Sequence, residues 1–216
     1  MENYIIDPVM STYSIMREQM RNLRVWLESI TPDALNALGH LSDLISEQVD
    51  MRPHSSLYFT AIGKNIPMLQ KVVSTMNSFG IKAYVLDAVN ALHGDIGVIK
   101  YDDYLIGVSH SGNTQEVVTC LEYAKRNGLC TTIGVALVDD TQKTRFDAAV
   151  KFMFKFGAID EVGEWNLAPT TSPLAFQLIF DAVAFCAAGR ANFGRSDYKI
   201  NHPAGDIGKT LLSTAE

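Results

Sequence analysis

The segment Ser109-His110-Ser111-Gly112-Asn113-Thr114 follows an apolar run and precedes a helical pattern. It therefore carries hydroxyls, a glycine and free backbone N–H groups to the positive end of a helix, an arrangement that holds a phosphate. A second cluster, Pro169-Thr170-Thr171-Ser172-Pro173, also opens a helix, with Pro173 suited to the first turn. Two such starts can enclose one anion. Ser, Thr and Asn are also the favoured N-cap residues, so simple capping is the second reading of each cluster.

Acid–base candidates lie close by. Lys64 follows Gly63 at a strand end and can steady an anion or a developing enediolate, although a lone loop lysine is more often only solvated. Glu116 falls in the first turn after the first cluster, where a carboxylate also serves as a dipole partner. Glu161 belongs to Asp160-Glu161-Val162-Gly163-Glu164, an acidic stretch that otherwise reads as wet surface. His93 and His202 sit beside turn residues, where function and structure are both open readings. The five histidines are scattered, with no H-x-x-x-H or H-x-E pair, which argues against a metal. No Walker loop and no G-x-G-x-x-G after a strand occur, so neither a nucleotide nor any other cofactor is implied.

The elements that must position these residues follow from periodicity. From about Pro8 to Val49 apolar residues recur at helical steps: Ile15, Met16, Met20, Leu23, Trp26, Leu27 and Ile30 first, then Leu35, Leu38, Leu41 and Ile45 after Thr31-Pro32-Asp33. Five β-rich runs follow, over 56–63, 82–86, 104–108, 131–135 and 148–154, separated by helical stretches over 66–79 and 114–127. Strands without strict polar alternation, interleaved with helices, predict an α/β fold: a three-layer α/β/α sandwich around a five-stranded parallel sheet, preceded by two N-terminal helices. Pro173 to Ala188 reads as a buried helix with a lone Asp181, and the tail from Arg190 as turns. A single domain is expected: residues 1–50 pack on the core or on a neighbouring subunit, and 51–216 form the α/β unit.

With 216 residues, 47 % apolar and 19 % charged, the composition is that of a globular protein, and a net charge of −6 disfavours nucleic-acid and anionic-membrane partners. Three cysteines, Cys120, Cys130 and Cys186, in apolar segments point to a reducing, cytoplasmic setting. The start Met1-Glu2-Asn3-Tyr4 does not resemble a secretory signal, and no run of 18 apolar residues occurs, so neither export nor membrane insertion is expected.

From about residue 57 to 211 the chain resembles the sugar isomerase (SIS) domain, and within it the arabinose 5-phosphate isomerase branch. The pieces that carry the likeness are Gly63-Lys64, Ala91-Leu92-His93-Gly94-Asp95-Ile96-Gly97, Ser109 to Val117, Leu167-Ala168-Pro169-Thr170-Thr171-Ser172, and Asn201-His202-Pro203-Ala204-Gly205-Asp206-Ile207-Gly208-Lys209. The resemblance implies interconversion of ribulose 5-phosphate and arabinose 5-phosphate through an enediol, a step toward the Kdo sugar of lipopolysaccharide. It places the catalytic set on Lys64, Glu116, Glu161 and His202 with His93 in addition, and the phosphate on Ser109, Ser111 and Thr114, closed by Thr170, Thr171 and Ser172. It also implies a homotetramer with shared active sites. The chain departs from the pattern at Asn65, where the branch usually has Ser, and at His110 and Asn113 within Ser-Asn-Ser-Gly-Glu; the paired CBS modules of many relatives have no counterpart up to Glu216. Burial that lifts one glutamate toward neutrality would fit it for proton transfer. Another phosphosugar isomerase, or a non-catalytic sugar-phosphate sensor, remains the alternative.

Overall fold

A computed structural model describes residues 12–51 and 54–204. The expected start of the first helix over 8–11, and the 205–209 part of the last motif, lie outside the described residues. Five strands, β1 (Leu57–Ala61), β2 (Ala83–Asp87), β3 (Tyr104–Ser109), β4 (Thr131–Ala136) and β5 (Phe152–Lys155), form one parallel sheet in the order β2-β1-β3-β4-β5. The helices are α1 (Thr12–Glu28), α2 (Pro32–Met51), α3 (Asn65–Ser78), α4 (Ala88–Ala91), α5 (Gln115–Arg126), α6 (Phe146–Ala149), α7 (Thr171–Arg190) and α8 (Arg195–Asn201), with a 3-10 turn over Asp95–Val98.

The strands lack alternation because both faces are covered; all six residues of β3 are buried. One apolar layer joins Leu57, Phe59, Ile106, Val108, Ile133 and Val135 to α2, α3 and α7, and Phe59 meets Phe180 edge to face at 5.1 Å. The other joins Leu105 to Val117 and Leu121 of α5 and to Phe146 of α6. The chain leaves β1 toward β2 but leaves β3 toward β4, so right-handed crossovers send α3 and α5 to opposite faces. The order reverses between β1 and β3, which opens a crevice beyond their carboxyl ends. Gly107 lets α5 lie close on β3: a Cβ there would come within 2.5 Å of Leu121 Cδ1.

Three elements differ from the sequence reading. Ala148, expected in the last strand, lies in α6, because Phe146 and Ala149 turn into the core at helical spacing and Asp147 Oδ2 accepts the Thr144 N–H at 2.6 Å. The tail contains α8 in place of turns alone; the Asp197 carboxylate accepts the Gly194 N–H at 2.8 Å, and Tyr198 packs with Phe79 and Phe193. The apolar set of α1 divides between two faces. Leu23, Trp26 and Ile30 turn inward beside Glu18, Gln19 and Asn22, while Met16, Met20 and Leu27 are exposed. The α1 and α2 helices pack on α7 and α2 also reaches β5, so both sit on the core of their own chain. The α7 helix is long and apolar enough to cross a membrane, and half of it is buried in that core.

Candidate active site

The crevice between β1 and β3 receives the loop that follows each strand. Ser109, the last residue of β3, is buried; its hydroxyl pairs with that of Thr114 at 2.8 Å and accepts the Gly112 N–H at 3.1 Å. Gly112 holds φ +65, and a Cβ there would meet the Thr144 side chain at 3.0 Å, so no other residue fits without displacement. Its carbonyl accepts the Phe146 N–H at 3.0 Å, and Asn113 Oδ1 accepts the Arg145 N–H at 2.8 Å. The loop is thus fixed from behind by the segment entering α6. Ser111 faces outward and exposed, its hydroxyl accepting only the Asn113 N–H at 3.2 Å. Thr114 caps α5 through its backbone with no side-chain cap bond. Ser109 and Thr114 therefore shape the loop, while Ser111 lies exposed on its outer side beside the first turn of α5.

Lys64 is exposed at the start of α3, just after Gly63 in the left-handed region at φ +60. Glu116 is half-buried in the first turn of α5 and makes no hydrogen bond among the described residues. His93 is exposed in the turn that leaves α4, before Gly94 at φ +122. All three lie on segments that leave the carboxyl ends of β1, β3 and β2, so one edge of the sheet presents them together.

Glu161 and the second hydroxyl cluster have a different geometry. Glu161 is buried at 5 % exposure, although its acidic stretch reads as surface in the sequence. Its carboxylate accepts the N–H groups of Thr170 at 2.8 Å, Thr171 at 2.6 Å and Ser172 at 3.2 Å, the Thr170 hydroxyl at 3.1 Å, and the Ser172 hydroxyl. The donors expected to close on a phosphate hold this side chain instead, as the cap of α7. Burial pushes the carboxyl up, but the Ser172 hydroxyl and the three backbone N–H groups outweigh it and hold it below the usual glutamate range. Glu161 is therefore not the glutamate lifted toward neutrality, because burial here comes with a full set of donors.

His202 is not brought to these residues. It follows α8, which packs at the carboxyl end of α3: Asn201 Nδ2 donates to the Ser78 carbonyl at 3.1 Å, Tyr198 lies against Phe79, and the His202 ring stacks on Tyr198 at 4.0 Å. Lys64 is at the other end of α3, about 20 Å away by helical rise.

Sequence reasoning missed the supports of the 156–170 loop. Asn166, at φ +51, accepts the Glu161 N–H at 2.5 Å and donates to Asp160 Oδ1 at 3.0 Å. From α1, Gln19, Asn22 and Trp26 all donate to carbonyls of this loop. The available signal was the spacing of Glu18, Gln19 and Asn22 on the face that carries Trp26. A cavity of about 390 Å³ lies elsewhere, between the α1–α2 connection and Asp139, Asp140 and Thr141, and contains none of the expected site residues. Among the described residues no three His, Cys, Asp or Glu converge as metal ligands. Burial raises the Cys120 thiol to about 11 and, with Asp103 nearby, the Cys130 thiol to about 12, so neither is a ready nucleophile.

The family model described as SIS domain matches residues 50–175, more than half of the chain. The chain is 30 % identical to the Pseudomonas aeruginosa protein named arabinose 5-phosphate isomerase KdsD, over 72 % of this chain and 46 % of that one. It spans about half the length of the curated relatives it matches. Among solved structures, an Escherichia coli CFT073 protein in complex with arabinose 5-phosphate superimposes with a TM-score of 0.75 at 24 % identity, covering 88 % of this chain and 97 % of that one. The Vibrio vulnificus NanR protein complexed with ManNAc-6P superimposes with a TM-score of 0.58 at 14 % identity, covering 94 % and 69 %.

Proposed function

The chain belongs to the SIS domain family, and from that premise we propose that it is a cofactor-independent phosphosugar isomerase interconverting D-ribulose 5-phosphate and D-arabinose 5-phosphate. What supports this reading is that the topology brings to one strand-order reversal the segments that carry Ser111 on its rigid loop, the half-buried Glu116, whose side chain is unpaired among the described residues, and the exposed Lys64.

Phosphate sits on Ser111 and the first amides of α5, with Ser109 and Thr114 shaping the cradle. Its binding energy holds the flexible five-carbon chain in a reactive pose. Glu116 takes the C1 proton of the ketose; the C–H electrons form the C1–C2 double bond and the C2 carbonyl becomes an enediolate, steadied by Lys64. Transfer of the O1 proton to O2 and return of the abstracted proton to C2 then complete the aldose, with the C1–O1 bond becoming the carbonyl. His93 lines the same edge of the sheet. Glu161, held ionised, serves as a fixed anion and anchor of α7, a role distinct from proton donation. His202 works from a neighbouring copy, since it stands about 20 Å from Lys64 along α3 in its own chain. We place the protein in the cytoplasm as a homotetramer, with no nucleic-acid or membrane partner, supplying arabinose 5-phosphate toward Kdo.

The likeness to a ManNAc-6P-bound regulator favours a second reading, a sugar-phosphate sensor. One experiment separates them: metal-stripped protein and ribulose 5-phosphate, followed by NMR, with Glu116→Gln as control. Arabinose 5-phosphate from the wild type and none from the variant supports the isomerase. Binding without turnover supports the sensor, and turnover only of a different ketose phosphate moves the substrate assignment.

A further inference from the structure

The 156–170 loop joins β5 to α7 with no regular structure of its own, yet its Glu161 is one of the most thoroughly hydrogen-bonded side chains described. The carboxylate is fixed on one side by the start of α7. The backbone from which it springs is fixed on the other side by α1. Asn22 Nδ2 donates to the carbonyls of both Asp160 and Glu161 at 3.2 Å, so one amide holds the peptide entering Glu161 and the peptide leaving it. Gln19 Nε2 donates to the Thr170 carbonyl at 2.8 Å, where the loop becomes helix. Trp26 Nε1 donates to the Phe156 carbonyl at 2.7 Å, where the loop leaves the sheet. Glu18 Oε1 accepts the Gly163 N–H at 3.4 Å at its middle. These four side chains occupy one face of α1, at positions i, i+1, i+4 and i+8. Hydrophobic burial explains Trp26, but it does not explain why three polar side chains face inward while Met16, Met20 and Leu27 face solvent.

We propose that α1 is the positioning element of the active site: through Asn22 and Gln19 it sets the backbone on both sides of the Glu161 loop and so fixes the Glu161 carboxylate at the start of α7. This rests on the reading that Glu161 serves the isomerase. Asn22 and Gln19 do not touch substrate; they act through Glu161. The donors on its carboxylate are all neutral; of the other charged groups on these segments, Glu18 Oε1 accepts the Gly163 N–H and faces Arg21 Nη2 at 3.9 Å, and Asp160 Oδ1 accepts from Asn166. A carboxylate that loses alignment with its donors becomes easier to protonate, which gives an observable independent of turnover.

The test compares full-chain Asn22→Leu and Gln19→Leu with Arg24→Ala on the exposed side of α1, in the ribulose 5-phosphate assay and by carbon-13 NMR titration of the Glu161 carboxyl. In both inner-face variants the titration moves up toward the ordinary glutamate range and kcat falls by roughly ten- to a hundredfold, while KM, set by the separate Ser109–Thr114 loop, stays within about twofold. Arg24→Ala changes neither. Asn22→Gln, which keeps the amide, recovers part of the loss. Wild-type kcat in the folded inner-face variants overturns the inference, as does a loss of kcat with the Glu161 titration unmoved. If Asn22→Leu does not fold, Gln19→Leu, which removes a single bond, carries the test. Glu161→Gln is measured alongside. Full activity there removes the premise about Glu161, whereas impaired Glu161→Gln beside normal inner-face variants removes only the positioning by α1.

Discussion

Two hydroxyl-rich junctions lead into long helices, Ser109–Thr114 before α5 and Thr170–Ser172 before α7, and their compositions are nearly interchangeable. At the α7 junction a buried carboxylate from the same chain accepts three backbone N–H groups and two hydroxyls, and Thr171 and Ser172 are buried with it. At the α5 junction no such side chain arrives among the described residues: Asn113 turns away to the Arg145 N–H, and Ser111 stays exposed. Whether a helix start is a cap or a cradle is therefore decided by what reaches it from elsewhere in the chain, more than by its own residues. In this protein one junction is closed by a carboxylate and the other is left exposed.

The largest expected effect comes from the group beside the open junction. Glu116→Gln lowers kcat by about 10²–10⁴-fold with little change in stability, read by the NMR turnover assay and urea unfolding. Next comes the closed junction: Glu161→Ala leaves three buried and two part-buried donors without their acceptor and destabilises by about 2–3 kcal/mol. In a Ser111→Ala background the same change makes the melting midpoint depend more steeply on inorganic phosphate than Ser111→Ala alone does, as the second junction takes up an anion in place of the carboxylate. Absence of that steepening in calorimetry would break the comparison. Ser111→Ala alone weakens sugar-phosphate binding by about 1 kcal/mol, roughly fivefold, by isothermal titration, and leaves stability near wild type.

The smallest effect is on pH. Because Glu161 is held below its ordinary 4.5, its contribution to stability is complete above about that value and is lost as pH falls through the lower folded-state value. Urea midpoints should be flat from pH 7 to 5 and fall below that, and Glu161→Gln should flatten the acid limb.

What was legible in the sequence followed from local pattern. The strands showed as apolar runs, and the Ser109–Thr114 loop as hydroxyls between a strand and a helix. The helix α7 showed as an apolar stretch after Pro173, although it begins two residues earlier, at the cap that Glu161 supplies. What was not legible depended on distant partners. Glu161 sits in an acidic run that resembles surface, and its burial comes from folding back on residues nine to eleven positions later. The inward face of α1 pairs with residues 130 or more positions away. The helix α8 is short, and it is held in place by Phe79 and Phe193 more than by its own periodicity.

The contact between Trp26 and the Phe156 carbonyl has an optical consequence. The chain has two tryptophans, one almost fully buried with its indole hydrogen-bonded and one, Trp165, about half exposed. Acrylamide should quench the emission in two classes, the shielded class belonging to α1 seated on the core. When the helix lifts away that class merges with the other, so the native chain carries a dye-free gauge of whether its first helix is docked.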